Sequence, residues 1–320
     1  GGLNFKPDLI WGKVRDHTYE HALFDSVRGV GKQIYTSANA AEAGVEGVTS
    51  FNADGVTIGN NRDFGNESGR EYVAWAWKAG NETVVDGSGT ITVTRSTNVD
   101  AGFSIISYEK NATAGATIAH GLGKAPEWIM VKDRIGANDW QCYHAKSHAT
   151  PEDNYVSLNQ TINATDSNTR WNDTAPDANF ITLGASGHVN GPDGPNYIAY
   201  AWTSIEGYSK FGTYKGNAST DGPFIYTGFR PRLVITKHFS GTSTEQWQVV
   251  DTARNTENPC ELRHFMNSTA AENTDGTNHR MDILSNGFKI RGAHVLSNGS
   301  TEGYIYMAFA EMPFKYANAR

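Results

Sequence analysis

Short apolar runs recur along the chain, and three of them share one layout. Each begins at a proline, continues through apolar residues and reaches a lysine, in the segments 7–13, 126–132 and 231–237. Proline is tolerated at the first residue of a strand but not in its middle, so each run predicts a buried strand that begins at a proline. The pattern indicates three blocks of related sequence.

An aromatic strand is predicted at the end of each block. Residues 72–77, 197–202 and 304–309 read YVAWAW, YIAYAW and YIYMAF, with small and large side chains in alternation. Such alternation is typical of a strand that packs closely on one face and carries bulky rings on the other. Opening strands are predicted at 103–108 and 211–214 in the second and third blocks. The first block has no counterpart, so we expect the chain to begin inside a longer protein.

Turn signals lie between these strands. Asp54-Gly55 and Asn286-Gly287 are each flanked by apolar alternation. These dipeptides favour a type I′ hairpin, because both central residues of that turn need positive φ. The middle block has a weaker form of the signal at 180–187. No helix of substantial length is predicted.

The blocks predict an all-β protein of three tandem β-sandwich modules, jelly-roll or lectin-like in type. The first module, predicted to be incomplete at its N-terminus, covers residues 1–80, the second 103–207, and the third 208–320 with a short C-terminal tail. Residues 81–102 are rich in Thr, Ser and Gly, and they predict a linker with a short crossing strand.

Composition narrows the range of functions. The chain has 320 residues, a net charge of −7 and no basic run, which argues against nucleic acid as a partner. No apolar run reaches the roughly 18 residues of a membrane helix, so no membrane insertion is predicted. Cys142 and Cys260 stand far apart without zinc-ligand spacing, so we predict neither a disulfide framework nor a metal site.

No catalytic set emerges from the candidate residues. Glycoside hydrolases need two carboxylates on one cleft, but no pair is singled out among the acidic residues near predicted strand ends and turns, such as Asp25, Glu71, Asp173 and Asp251. His144 and His148 have ligand-like spacing but no third ligand nearby in sequence. Neither a serine nucleophile motif nor a phosphate-binding loop is present. We therefore predict no catalytic, cofactor or metal site, and no enzyme.

Two further features bear on structure and binding. Asp25 and Arg28 recur as Asp251 and Arg254, whereas the middle block carries His144-Ala145-Lys146-Ser147 in that place. A local Asp–Arg bridge that orders a loop explains this recurrence better than catalysis does. Trp140 and Trp247 also occupy matching positions, which predicts repeated core packing.

Trp171 is the one candidate for a glycan-binding ring. It lies in the polar segment 168–174, where no core is evident from the sequence. Flat aromatic rings stack on the apolar faces of sugars at little conformational cost. A tryptophan that fills the interior of its own module is the alternative interpretation.

The sequences of several segments resemble those of a known family. Segments 25–29, 103–108, 119–126 and 221–231 are similar to a repeated β-rich domain of uncharacterised function in tail-fibre and other structural virion proteins of phages, especially marine and cyanobacterial phages. The resemblance covers almost the whole chain. It carries over no catalytic residue.

The resemblance implies a virion protein at the surface of a phage particle, most simply a tail fibre or adhesin that acts in host attachment. The implied partners are other virion proteins and a host surface glycan or envelope receptor, and the implied assembly is a homotrimer. Two alternatives stay open. One is a tail-associated glycan depolymerase, and the other is a capsid decoration or architectural spacer protein.

Overall fold

Short strands make up most of the regular secondary structure among the described residues. The structure, a computed structural model, describes residues 3–80, 82–192, 196–274 and 279–311. The strands are β1 (Leu9–Val14), β2 (Ala22–Asp25), β3 (Lys32–Tyr35), β4 (Ala43–Gly44), β5 (Val48–Asn52), β6 (Gly55–Ile58), β7 (Tyr72–Trp77), β8 (Val84–Asp86), β9 (Val93–Asn98), β10 (Phe103–Glu109), β11 (Ala116–Ala119), β12 (Trp128–Asp133), β13 (Gln141–His144), β14 (Asn154–Tyr155), β15 (Thr165–Asp166), β16 (Phe180–Leu183), β17 (Asn196–Trp202), β18 (Ser209–Lys215), β19 (Phe224–Tyr226), β20 (Pro231–Ser240), β21 (Gln248–Asp251), β22 (His264–Phe265), β23 (Met281–Leu284), β24 (Gly287–Ile290) and β25 (Gly303–Ala310).

In the residues that the structure describes, helical structure is confined to single turns. These are α1 (Asn168–Trp171), α2 (Val295–Asn298) and a 3₁₀ turn at Pro151–Asp153. None of the described helices is long and apolar enough to cross a membrane. The prediction of an all-β protein without a substantial helix is confirmed for the described residues.

Three large antiparallel sheets organise the chain. Sheet I has the strand order β4-β3-β2-β1-β7, sheet II has β13-β12-β17-β10-β9-β8, and sheet III has β18-β25-β20-β21-β22. In each sheet the strand of the proline run lies between a short strand and the aromatic strand. The opening strands β10 and β18 flank the aromatic strands of sheets II and III. The region predicted as a linker contains β8 and β9, which extend sheet II.

A central core joins the three large sheets. One buried cluster contains Trp11 and Trp75 of sheet I together with apolar side chains of sheets II and III, among them Trp128, Trp202 and Met307. The opposite faces pack under smaller sheets, which are β5–β6 on sheet I, β11–β16 on sheet II and β19-β24-β23 on sheet III. Each large sheet is thus covered on both faces.

This double cover explains the alternation in the aromatic strands. In β17, Tyr200 and Trp202 face the central core, whereas Ala199 and Ala201 face the cluster under β11–β16. Small residues let the outer sheet approach closely, and large rings fill the wider space where three sheets meet. The predicted division into a close face and a bulky face is confirmed for β17, whereas β25 turns Tyr304 and Tyr306 toward its outer sheet.

The predicted hairpins form, but their turns are not type I′. The last pairs are Asn52 with Gly55 and Leu284 with Gly287, so each glycine begins a strand instead of sitting at the turn centre. None of the four turn residues has positive φ. At position 287 a side chain would place its Cβ 2.1 Å from the carbonyl oxygen of Ile225. Glycine there serves the close approach of β19, and the type I′ prediction is wrong.

The middle block does not form a matching hairpin. Its strand β16 pairs with β11 alone, and turns follow it between residues 184 and 190. The weak glycine signal at 180–187 therefore marks the end of an outer-sheet strand.

Each of the three proline-run strands carries a buried lysine in its second half. The Nζ atoms of Lys13, Lys132 and Lys237 donate to the carbonyl of the next residue at 2.7, 2.6 and 2.5 Å. Each also donates to a carbonyl in a loop. Burial lowers the pKa of Lys13 and Lys132 to about 8 and that of Lys237 to about 7. The lysines satisfy loop carbonyls that would otherwise be buried without partners.

These lysines predict a stability that rises with pH. An unfolded lysine keeps its ordinary pKa of 10.5, so between about pH 7 and pH 9 the unfolded chain binds more protons than the folded chain. The free energy of unfolding is therefore expected to increase over this interval. Urea unfolding at several pH values measures it, and the slope should shrink in Lys237→Met. A flat or falling profile would contradict the prediction.

Candidate functional site

The recurrent Asp–Arg pairs form buried bridges at the ends of β2 and β21. Arg28 Nε lies 2.5 Å from Asp25 Oδ2, and Arg254 Nε lies 2.6 Å from Asp251 Oδ2. The backbone N–H of each arginine also donates to the other carboxylate oxygen of its partner. The predicted structural bridge is confirmed at both positions. In the middle block, Lys146 N–H donates to His144 Nδ1 instead.

The same carboxylates reach across to a neighbouring sheet. The Tyr200 hydroxyl of sheet II donates to Asp25 Oδ2 at 2.6 Å. The Trp75 indole of sheet I donates to Asp251 Oδ2 of sheet III at 3.2 Å. Burial first, and then the carboxylate of Asp25, raise the pKa of Tyr200 well above its ordinary value, so this hydroxyl remains a donor. Each bridge therefore ties one large sheet to the next.

The contact between sheets II and III uses different chemistry at the same place. Met307 stands where the other aromatic strands carry Tyr200 and Trp75, and a methionine has no proton to donate. Correspondingly, His144 replaces the aspartate, and its Nε2 lies 3.2 Å from the backbone carbonyl oxygen of Tyr306. A buried aspartate without a donor would be costly here, and the histidine avoids that cost.

Each of the two contacts that contain an Asp–Arg bridge also contains a glutamate. Glu42 bonds Arg28 of sheet I and Arg134 of sheet II, and Glu272 bonds Arg254 and Arg15 in the same way between sheets III and I. Burial opposes ionisation of both glutamates, but the arginines outweigh it and hold the pKa of each below its ordinary value. Both therefore stay charged at neutral pH.

The contact between sheets II and III has the same backbone hydrogen bond but not the charged side chains. Ala164 N–H donates to Phe239 carbonyl oxygen at 2.9 Å, as Glu42 N–H does to Arg134 at 2.8 Å. The glutamate and its arginine are both absent from the contact between sheets II and III. Ala164 and Phe239 stand at these two positions, so neither leaves an unpaired ion between the two sheets.

Tryptophans that precede the short strands β13 and β21 also link the large sheets. The Trp140 indole donates to the Tyr35 carbonyl oxygen at 2.7 Å, and the Trp247 indole to that of Ser157 at 2.9 Å. His21 takes the equivalent place in sheet I, and its ring packs edge-on against His264 at 5.9 Å. The predicted core role of Trp140 and Trp247 is confirmed, because both side chains are fully buried.

The other candidate residues do not assemble into a reactive centre. His144 is buried at a sheet contact, whereas His148 is exposed and bonds Thr150. Glu71 pairs with Arg15 on the surface, and Asp173 lies in an exposed turn. Both cysteines are buried free thiols. Across the described ranges, no group of three or more His, Cys, Asp or Glu side chains is arranged to hold a metal.

Trp171 is not an exposed ring. Its relative exposure is 1%, and its indole donates to the carbonyl oxygen of Asn154 at 3.0 Å. It packs edge-on against Tyr143 at 6.0 Å, inside the core between sheet II and its outer sheet. The single turn α1 directs the side chain inward from an otherwise polar segment. The ring is therefore unavailable to a sugar, and the interpretation as a core residue is correct.

Two aromatic rings that the sequence did not single out lie on the surface of β19. Phe224 and Tyr226 are 45% and 58% exposed, while Ile225 between them is buried. Because side chains alternate along a strand, both rings project from the same side. Lys210 Nζ donates to the Tyr226 carbonyl oxygen at 2.8 Å and lies 5.2 Å from the ring centroid. We call Phe224, Tyr226 and Lys210 the aromatic strip.

The corresponding strand in the middle block is covered by the chain itself. Residue Ile91 forms a parallel bridge with Ile118 of β11, and its N–H donates to the Thr117 carbonyl oxygen at 3.0 Å. This covering segment belongs to the connection 78–102 between β7 and β10. The connection between β17 and β18 spans only residues 203–208. No residue of this connection pairs with β19 in the described structure, so the outer edge of β19 is open.

Cations border the aromatic strip. Lys289 lies opposite Phe224 in the neighbouring strand β24, and its Nζ is 2.8 Å from the carboxylate of the exposed Asp221. Arg291 lies 3.8 Å from the same carboxylate. Asp282 lies opposite Lys289 in β23, and its Oδ2 is 3.1 Å from Arg291 Nε. With Lys210, three cationic groups and two carboxylates therefore lie beside the rings. This part of an acidic chain is locally positive, which favours anionic ligands.

A groove of about 730 Å³ opens beside β7. It is lined by Ala76 and Lys78 from sheet I, by the β9–β10 turn at 98–101, and by the segment 205–208 before β18. Asp100 and Glu206 are both exposed on its walls. These two carboxylates therefore share one cleft.

The comparisons with known proteins place the chain in a family. A family model described as Domain of unknown function (DUF7483) matches residues 1–313. The chain belongs to this family. Neither the comparison of this DUF7483 chain with curated proteins nor that with solved structures gives a match. Function has to be argued from the surfaces of the DUF7483 chain.

Replacing Asp25 by Asn tests the role of the bridges in this DUF7483 chain. The change leaves Arg28, which is fully buried, without its nearest negative charge, and breaking a buried pair in this way costs about 3 kcal/mol of stability. Chemical denaturation measures the loss. Asp173→Asn, in an exposed turn, is the control and should leave the unfolding midpoint unchanged. Equal stability of the two variants would contradict a structural role for Asp25.

Proposed function

We propose that this protein is a non-catalytic structural and adhesive protein of a phage particle, built from three tandem β-sandwich modules. In this proposal it is a tail fibre or adhesin that forms a homotrimer and contacts other virion proteins. It binds a host surface glycan during attachment. In this proposal the protein acts at the surface of the particle, where the particle meets the host envelope. The resemblance of its sequence to phage structural proteins supports this proposal.

The observation that carries the binding role is the aromatic strip. Exposed aromatic rings on a rigid strand stack on sugar faces without a large loss of conformational entropy. Phe224 and Tyr226 are two residues apart, so their rings stand about 7 Å from each other along the strand. This spacing lets the rings contact neighbouring sugar units. The surrounding Lys210 and Lys289 favour a polysaccharide that carries acidic groups.

Binding to saccharides is the test. The purified chain is measured against cells of candidate bacterial hosts and against a panel of acidic and neutral envelope polysaccharides. The double variant Phe224→Ala/Tyr226→Ala should bind acidic polysaccharide about thirtyfold more weakly, since each of the two stacked rings contributes on the order of 1 kcal/mol. The control is Val85→Ala/Ile135→Ala, which removes exposed apolar side chains elsewhere.

Each result of this test has a definite meaning. Selective loss in the aromatic variant supports an adhesin that binds through the strip. Equal binding by both variants would move the receptor site elsewhere. A wild-type chain that binds no cell or polysaccharide would favour the architectural spacer.

A glycan depolymerase is the second candidate, because Asp100 and Glu206 line one groove. Both carboxylates are exposed, whereas a glycosidase acid is commonly held protonated by a desolvated site. We therefore expect no shortening of bound polysaccharide, as measured by size-exclusion chromatography. Shortening that disappears in Asp100→Asn or Glu206→Gln would establish the depolymerase instead.

A further inference from the structure

The outer edge of β7 carries no strand in the part of the chain that the structure describes. Arg15 N–H donates to the Glu71 carbonyl oxygen at 2.7 Å, which fixes the odd-numbered residues of β7 as those bonded to β1. In an antiparallel pair the bonding direction alternates. The N–H and C=O groups of Tyr72, Ala74 and Ala76 therefore point away from sheet I. No described group bonds to them.

The same edge is filled in both of the other large sheets. In sheet II, β10 pairs with the aromatic strand from Phe103 opposite Trp202 to Glu109 opposite Asn196. In sheet III, β18 pairs with β25 over the same length. Among the described residues, sheet I shares the order of the remaining strands but has no counterpart of β10 and β18. The edge of β7 is thus a vacant strand position.

Ring contacts mark where the missing side chains belong. Tyr108 of β10 stacks on Tyr197 at 5.3 Å, and Tyr214 of β18 stacks on Tyr304 at 4.9 Å. Tyr72 occupies the position of Tyr197 and Tyr304 in sheet I. Its described ring contact is an edge-on one with Phe64. One face of this tyrosine therefore lacks the stacked ring that its counterparts have.

The groove beside β7 lies along the same edge. Ala76 and Lys78 form one wall, and the turn at 98–101 and the segment 205–208 form the others. In sheet II the opening strand begins opposite Trp202, the counterpart of Trp77. The groove is therefore the space that the first residues of an opening strand would occupy.

We propose that β7 accepts an antiparallel strand donated by another polypeptide, with a tyrosine opposite Tyr72 and an apolar residue opposite Trp77. Backbone bonds supply affinity in such strand addition, and alternate side chains supply specificity. The two opening strands that the structure describes, β10 and β18, are engaged in their own sheets, so neither of them can fill the edge of β7. In this proposal the donor is an extended segment of a different subunit.

The side chains along the edge agree with a docking role. Natural sheets protect open edges with charges, prolines or bulges. The outward-bonding residues of β7 are a tyrosine and two alanines, and its pairing with β1 is regular from Leu9–Trp77 to Val14–Tyr72. A flat, uncharged edge of this kind is suited to pairing.

A peptide tests the proposal without knowledge of the natural donor. A labelled peptide with the sequence of residues 102–110, GFSIISYEK, is added to the full chain, and binding is followed by fluorescence anisotropy. Hydrogen exchange then reports the site. The amides of Ala74 and Ala76 should exchange in the free chain and become protected at least tenfold on binding.

Two variants locate the interaction on the edge. Ala74→Pro removes an outward N–H without removing a bond to β1, so it should weaken peptide binding at least tenfold. Ala74→Ser keeps the N–H and should bind within twofold of the parent. A peptide with alanine in place of its tyrosine should also bind more weakly. Circular dichroism and thermal unfolding confirm that each variant is folded.

Three outcomes would overturn the proposal. The first is no saturable binding of the peptide to a folded chain. The second is binding that Ala74→Pro leaves unchanged, since the peptide would then replace β10 in sheet II. The third is self-association of the chain that Ala74→Pro abolishes, since the donor would then be a second copy of this chain.

Discussion

Burial of one face of each large sheet against the other two is the constraint on which the rest of the structure depends. Trp11, Trp128 and Ile235 come from the three proline-run strands and meet in one apolar cluster. None of these faces is covered by the small sheet of its own block. The large sheets therefore stabilise one another, and none of them has a complete core alone.

The polar contacts between sheets follow from this shared core. Groups at the ends of β2, β13 and β21 are removed from water, so each needs a partner. Where the neighbouring strand offers a donor, as Tyr200 and Trp75 do, an aspartate receives it. Where it offers Met307, a histidine takes the place of the aspartate. The contacts close a circle from sheet I to II, to III and back to I.

The sequence predicted the local elements well. A proline followed by an apolar run locates β1, β12 and β20, and alternation locates the aromatic strands, because both are properties of a single strand. The Asp–Arg bridges are also local, and spacing was sufficient to predict them. The hairpins were predicted at the right places, but Gly287 serves a neighbour 62 positions away in sequence, Ile225, which no turn rule includes.

Features set by distant contacts were missed or misread. Trp171 lies in a polar segment, and only the packing of α1 against β14 and β16 directs its ring into the core. Phe224 and Tyr226 resemble part of an ordinary strand in the sequence, because alternation does not show which face of a strand stays uncovered. The shared core was also hidden, since each strand shows only that it is buried and not against which sheet.

The surfaces available for binding are decided by what each connection covers. The long connection before β10 supplies Ile91 to the edge of β11, whereas the short one before β18 leaves β19 and its rings open. Among the described residues, no strand pairs with the outer edge of β7, whereas β10 and β18 fill this edge in the other large sheets. The three blocks thus share one interior but present different outer surfaces. The surface that each block offers for binding depends on which of its strands are covered, while the core remains the same.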